Sequence, residues 1–165
     1  MLIRPERERD APEIRELTER AFRPMAFSDG TEPAVIDRLR ERGELALSLV
    51  AESQRSVVGH VAFSAATVGE SRETGWYALG PVAVDPSLQR TGIGTALIER
   101  GLDELRDREA RGVVLVGDPA YYRRFGFVGD GRLRYRSLAD ELVQWLAFGP
   151  PPPRGEVVFR DAFDP

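Results

Sequence analysis

The stretch Leu79-Gly80-Pro81-Val82-Ala83-Val84-Asp85-Pro86-Ser87-Leu88-Gln89-Arg90-Thr91-Gly92-Ile93-Gly94-Thr95-Ala96-Leu97, continued by a charged run to Leu105, decides the reading of this chain. Its first part is a short apolar strand that stops at Asp85-Pro86. Its middle is a polar loop with Gln89, Arg90 and two glycines. Its last part sets Ile93, Ala96, Leu97, Gly101, Leu102 and Leu105 on one stripe with charges opposite, the spacing of an amphipathic helix. Strand, glycine loop and helix start together form an anion cradle. The first N–H groups of a helix lack intrahelical partners, and the helix dipole adds positive potential there. Gly92 and Gly94 carry no Cβ, so the backbone can approach phosphate oxygens, and Arg90 can add a charge-assisted contact.

Three glycine-loop types compete for this stretch. A nucleoside-triphosphate loop requires a lysine after its second glycine, and the chain contains no lysine. A dinucleotide loop requires a third glycine, and Leu97 stands in its place. The pattern Gln/Arg-x-x-Gly-x-Gly/Ala is met by Gln89-Arg90-Thr91-Gly92-Ile93-Gly94 after a Val-Ala-Val strand.

Composition narrows the chemistry further. A chain of 165 residues is expected to form one domain with one sizeable core. The net charge of −4 gives no bulk attraction to nucleic acid or to an anionic membrane. No apolar run approaches a membrane span, and the N-terminus turns charged at once, so no signal peptide is expected and the cytoplasm is the expected location. Without cysteine there is no disulfide, thiolate metal site or cysteine nucleophile; without lysine there is no Schiff base. His60 is the one histidine, so no multi-histidine metal site is expected.

Outward from the cradle, Leu2 to Arg4 reads as an opening strand. Asp10 reads as the cap of a helix through Phe22, and Thr31 as the cap of a second that Gly43 ends. Leu45–Glu52 and Val57–Val68 read as a hairpin around Ser53-Gln54-Arg55-Ser56, and Gly75–Val84 as the strand of the cradle. Pro81 lies inside that strand and points to an edge, a bulge or local splaying. Gly112 is expected to end the cradle helix, and Val113–Val116 to form a covered strand. Asp118-Pro119 opens a short helix through Tyr122 and Arg124, and Phe125–Val128 starts another strand. Arg132, Arg134 and Arg136 alternate as on a solvated strand face. Ser137 caps a short helix, Glu141–Phe148 is strand or helix, and Glu156–Phe159 is a last strand. The order implies an α/β fold with a mixed sheet.

At Gly80–Leu97 together with Tyr121-Tyr122-Arg123-Arg124-Phe125-Gly126-Phe127 the chain resembles the GCN5-related N-acetyltransferases (the GNAT superfamily), and within it the YhbS-like group. The resemblance runs from Leu2 to about Val128. It implies a single GNAT domain over 1–165, with a core to about 130 and a substrate-side segment over 131–165. The sheet would be mixed, mostly antiparallel and splayed at the cofactor site, with helices on both faces. It implies acetyl-coenzyme A as co-substrate, no metal, and transfer of acetyl to a primary amine on a small molecule or peptide; a homodimer is compatible with it.

The cofactor-binding residues that the resemblance implies are Val82, Ala83 and Val84 for the pantetheine arm and Gln89, Arg90, Thr91, Gly92, Ile93, Gly94 and Thr95 for the pyrophosphate. Tyr122 takes the family position of the general acid. Some relatives place a glutamate base eleven residues before the motif glutamine; here that residue is Ala78. His60 is then the candidate base, with Glu73, Asp85 and Asp118 matching by residue type alone. The other class that the chain admits is a non-catalytic acyl-coenzyme A-binding or regulatory module. Interleaved acidic residues weigh against a nucleic-acid binder.

Overall fold

Strand β1 (Leu2–Pro5) pairs antiparallel with β2 (Leu47–Ser53), and β2 pairs antiparallel with β3 (Ser56–Val68). Gln54 and Arg55 both take left-handed backbone, at φ 50° and 65°, which closes that hairpin in two residues. The remaining strands are β4 (Glu73–Val84), β5 (Gly112–Val116), β6 (Leu133–Arg134), β7 (Val143–Ala147) and β8 (Gly155–Val158). The helices are α1 (Ala11–Phe22), α2 (Glu32–Glu41), α3 (Ile93–Asp107) and the single turn α4 (Pro119–Tyr122). This is a computed structural model that describes residues 1–164; Pro165, the last residue of the expected domain, lies outside them.

The strand order is β1-β2-β3-β4-β5-β7, with β8 on β3 and β6 on β8. The β4–β5 and β6–β8 pairs are parallel, while β1–β2, β2–β3, β5–β7 and β3–β8 are antiparallel. The sheet is therefore mixed and mostly antiparallel, as expected. The register of β4 on β5 runs from Trp76 to Ala78, and Pro81 lies beyond it on β4. No helix of the described residues is long and apolar enough to cross a membrane.

Two compact units alternate along the chain. The first comprises Met1–Phe63, Gly80–Gly101 and the stretch from Ala162 on. In it α1 and α2 bury Ile14, Leu17, Ala21 and Ile36 against Val50, Val57 and Ala83. Each buried Ile, Leu or Val among them contributes about 1.5–3 kcal/mol. A β-bulge at Ala51/Glu52 shifts the register, so that Val57 joins the core under α1 although Gly59, two residues on, faces α3. Helices thus cover both faces of these strands. The second unit comprises Ser64–Leu79 and Leu102–Asp161. Its core gathers Ala66, Val68, Trp76, Ala78, Val114, Leu133, Val143 and Val157.

Several local expectations are corrected. Asp10 does not cap α1 with its side chain. Its carboxylate instead accepts two bonds from Arg4, at 2.7 and 3.0 Å, and one from the Arg7 N–H at 2.7 Å. Thr31 does not cap α2, because its hydroxyl donates to Asp29 Oδ1 at 2.6 Å. Helix α3 ends at Asp107, before Gly112, and Glu109 takes the left-handed turn at φ 62°. Phe125 closes a 3₁₀ turn, and of the strand expected there only Val128 pairs, as a bridge to Trp145. Arg134 alone of the three alternating arginines lies in a strand. Ser137 caps nothing; a 3₁₀ turn runs over Asp140–Leu142 after Ala139.

Candidate active site

In the first unit, Val82, Ala83, Val84 and Gln89–Thr95 form one continuous strand–loop–helix start. Ala83 is buried in the α1 core, so Val82 and Val84 point to the other face of β4. Asp85 makes the turn. Its N–H donates to Val58 O at 2.9 Å, its Oδ1 accepts from the Ser87 N–H and hydroxyl, and its carbonyl accepts from Leu88 N–H. The Ser87 hydroxyl bond, then the Ser87 N–H, holds the Asp85 carboxyl below the ordinary aspartate value. Arg20 of α1 reaches the same carboxylate at 3.4 Å.

Past this turn the backbone opens. Gly92 sits at φ 93°, a left-handed conformation that glycine adopts without strain, and a Cβ built there meets nothing within 4 Å. Helix hydrogen bonding begins with Ala96 N–H to Gly92 O at 3.0 Å. The N–H groups of Gly92, Ile93 and Gly94 have no hydrogen-bond partner among the described residues. These donors, the dipole of α3 and the exposed Arg90 make a site for a polyanion. Thr91 donates its hydroxyl to Leu88 O, and Gln89 Nε2 donates to Val84 O at 3.3 Å, so both brace the loop. Thr95 is half-buried in the first turn of α3.

Two glycines hold α3 against the strands: Gly59, which the sequence does not single out, and Gly101, which it places on the apolar stripe of the helix. A Cβ on Gly59 would lie 2.8 Å from Ile93 Cγ2 and 2.9 Å from Leu97 Cδ1. A Cβ on Gly101 would strike the Phe63 ring. A glycine inside a strand is the signal that could have found the first.

Tyr122 belongs to the second unit. Asp118 caps α4 by accepting from Ala120 N–H at 2.9 Å, and Pro119 opens it. The Tyr122 ring stands edge-on to Tyr121, with centroids 4.9 Å apart, and to Phe127 at 6.0 Å. Its hydroxyl bonds to none of the described residues. Burial pushes the phenol above its ordinary value, and Tyr121 and Asp118 push the same way, so it stays protonated.

Comparison with known proteins decides the family. The model of the acetyltransferase (GNAT) family matches residues 11–127. The uncharacterized N-acetyltransferase YhbS of Escherichia coli K12 is 41% identical over 128 residues, which are 77% of this chain and 73% of that protein. This chain belongs to the GNAT acetyltransferase family. Among solved structures, a GNAT family acetyltransferase from Brucella melitensis in complex with acetyl-CoA is 50% identical, with a TM-score of 0.87 over 99% of this chain and 97% of that one. YhbS of Escherichia coli in complex with CoA is 33% identical, with a TM-score of 0.89 over 99% of this chain and 92% of that one.

Against that GNAT background, the base candidates stand as follows. Glu73 accepts from Trp76 Nε1 at 2.8 Å and from Arg111 at 2.6 Å, and Asp118 is the α4 cap. Ala78 is buried in the core of the second unit. His60 is fully buried in the first. Its Nε2 lies 2.8 Å from Ser48 Oγ. That hydroxyl donates to Glu6 Oε1 at 2.8 Å, and Glu6 in turn accepts Arg40 Nε and Nη2 at 2.9 and 2.8 Å. Since Ser48 gives its one proton to Glu6, it accepts from His60, which fixes the Nε2–H tautomer. Nδ1 then carries the lone pair and has no partner. Burial pushes the imidazole down to about 4, Glu6 opposing and Arg40 assisting. Burial raises the Glu6 carboxyl, but the bonds from Arg40 and Ser48 outweigh it and leave the group below its ordinary value.

Proposed function

We propose that this chain transfers the acetyl group of acetyl-coenzyme A to a primary amine. The observation that carries the reading is the cradle: a left-handed Gly92, unpartnered N–H groups at Gly92, Ile93 and Gly94, and an exposed Arg90 at the head of a fifteen-residue helix. That donor set suits the pyrophosphate of coenzyme A; the Brucella relative is in complex with acetyl-CoA and the Escherichia coli one with CoA. Gln89–Thr95 bind it in this reading, and Val82–Val84 offer their backbone to the pantetheine arm in the manner of an added strand.

The reaction needs no covalent enzyme intermediate. The amine nitrogen attacks the thioester carbonyl carbon, and an N–H of Val82–Val84 holds the developing oxyanion. The attacking nitrogen gives up a second proton to water as the carbon–sulfur bond breaks, leaving the neutral amide and the coenzyme A thiolate. Tyr122 donates its hydroxyl proton in a hydrogen bond to that sulfur. A thiol titrates near about 8.5 and a phenol near about 10, so Tyr122 stabilises the thiolate by donation rather than by losing its proton for good. His60 is neutral at pH 7 and tied to Ser48, and we read it as a core group; the proton of the acceptor ammonium leaves to water. The segment 131–165 is proposed as the acceptor side.

Titration calorimetry with acetyl-coenzyme A tests the cradle. Saturable binding is expected, and no heat at concentrations of about 100 µM, within the usual KM range, would sink the reading. Ala78, where some relatives hold a glutamate, favours a second reading, a module that binds acyl-coenzyme A without catalysis. Binding without thiol release across a panel of primary amines would select it.

A further inference from the structure

The ring of Tyr122 rests on a bare patch of backbone. A Cβ built on Gly117 would lie 2.6 Å from Tyr122 Cε2 and 3.1 Å from Cδ2, with Leu115 Cδ1 at 3.3 Å. Gly117 takes no left-handed backbone, unlike Gly92, so glycine is required here for the closeness of the ring. Leu115 is buried and cannot give way.

That patch is itself fixed from two sides. Gly117 N–H donates to Leu142 O at 3.1 Å. Gly117 O accepts from Gln144 Nε2 at 3.0 Å. Gln144 lies on β7 and is only 1% exposed, one of few buried polar side chains of the chain. A buried amide costs stability unless it is bonded, so its place under Gly117 has a specific use. The bond stops the Gly117 peptide from rotating where the chain leaves β5 for the Asp118 cap. The Tyr122 ring has that peptide beneath it and Tyr121 and Phe127 at its edges. No hydrogen bond from the described residues holds the hydroxyl, so the packing of the ring sets where it stands.

We propose that Gly117 and Gln144 are positioning residues for Tyr122: Gln144 fixes the Gly117 peptide, and that peptide sets where the phenol hydroxyl stands. The proposal rests on reading Tyr122 as the donor to the leaving sulfur. Neither residue touches the reacting atoms in it. Gly117→Ala pushes the ring off its seat. Gln144→Met keeps the length of the side chain and removes the donor.

The test combines kinetics with a spectrum. Thiol release from acetyl-coenzyme A is measured with a polyamine, an aminoglycoside, an amino-acid amide and a lysine peptide as acceptors. The chain has four tyrosines, so labelling with 3-fluorotyrosine gives a short ¹⁹F spectrum in which the Tyr122 line is the one lost in Tyr122→Phe. Gly117→Ala is expected to lower kcat about 10–100-fold, the effect of misplacing a group by an ångström, with KM for acetyl-coenzyme A little changed. Gln144→Met is expected to lower it several-fold, and both are expected to move the Tyr122 line. In a Tyr122→Phe background neither substitution should cost further turnover, because both act through the missing hydroxyl.

Losses that multiply in the Tyr122→Phe background, or a Tyr122 line unmoved in Gln144→Met, overturn the proposal. Should Gly117→Ala not fold, Gln144→Met decides alone; should no amine in the panel react, the ¹⁹F line decides. A Tyr122→Phe variant with full turnover would instead remove the donor role itself, a different failure that the spectrum does not share.

Discussion

Gly59 of β3 lies directly beneath Ile93, the first residue of α3: a Cβ on the glycine would come within 2.8 Å of Ile93 Cγ2. The contact sets the height of the helix start above the strand, and the helix start carries the cradle donors. Gly59→Val therefore forces Ile93 and Leu97 outward. Overpacking of this kind costs about 1–3 kcal/mol. Thermal denaturation should give a lower Tm, and calorimetry a weaker affinity for coenzyme A. A variant with wild-type affinity would mean that the α3 start does not hold the cofactor.

Gly92 separates conformation from charge in the same cradle. At φ 93° an alanine pays the left-handed cost of about 1–2 kcal/mol, while its Cβ points into open space. Gly92→Ala should thus bind coenzyme A with moderately reduced affinity. Gly92→Glu adds a carboxylate to the donor cluster, which repels a pyrophosphate, and should bind none measurable by calorimetry. Equal affinity for Glu and Ala variants would count against phosphate at this position.

His60 gives a stability signature. Its imidazole is held down to about 4 in the fold, against an ordinary value near 6.5. Between those values the unfolded chain binds more protons, so stability rises with pH there. The contribution is complete above about pH 6.5 and is lost as pH falls toward 4; its size is at most about 3 kcal/mol, from 1.36 kcal/mol per unit. The Glu6 carboxyl, also lowered, adds a loss on the acid side. His60→Gln can still donate to Ser48 and does not titrate. Denaturant melts from pH 4 to 7 should show a flatter profile for His60→Gln than for wild type, and identical slopes would mean that His60 charges freely in the fold.

What could be read in the sequence was what depends on neighbours in the chain. The α3 stripe from Ile93 to Leu105 and the cradle loop are local, so spacing alone revealed them. That β4 stops pairing with β5 before Pro81 was legible from that proline, whose missing N–H cannot join a ladder. Distant partners were not legible. Asp10 looks like a cap until Arg4, on β1, claims its carboxylate. The bulge at Ala51/Glu52 exists only once β2 and β3 are paired, and it puts Val57 and Gly59 on opposite faces of one strand. The partners of His60 gave no sign either, since Glu6 and Ser48, which face its Nε2, lie 54 and 12 residues away in the chain. Gln144 gave no sign at all, since its bond to Gly117 spans 27 residues.

Tyr122 should reveal itself in the pH dependence of turnover. Its burial, reinforced by Tyr121 and Asp118, keeps the phenol protonated beyond the ordinary value of about 10. A donor that never titrates in the working range contributes no falling limb. The wild-type kcat/KM profile should therefore climb with pH as the acceptor ammonium, with a pKa of about 10, loses its proton, and should show no decline due to Tyr122 below about pH 10. Tyr122→Phe removes the donation without altering that proton loss. Its profile should keep the wild-type shape and lie lower by about 100-fold, the low end of the range for a lost acid or oxyanion donor. Two outcomes contradict this: an unchanged rate, which takes Tyr122 out of the reaction, and a wild-type decline below pH 9 that disappears in Tyr122→Phe, which would require a phenol far more acidic than its buried setting allows.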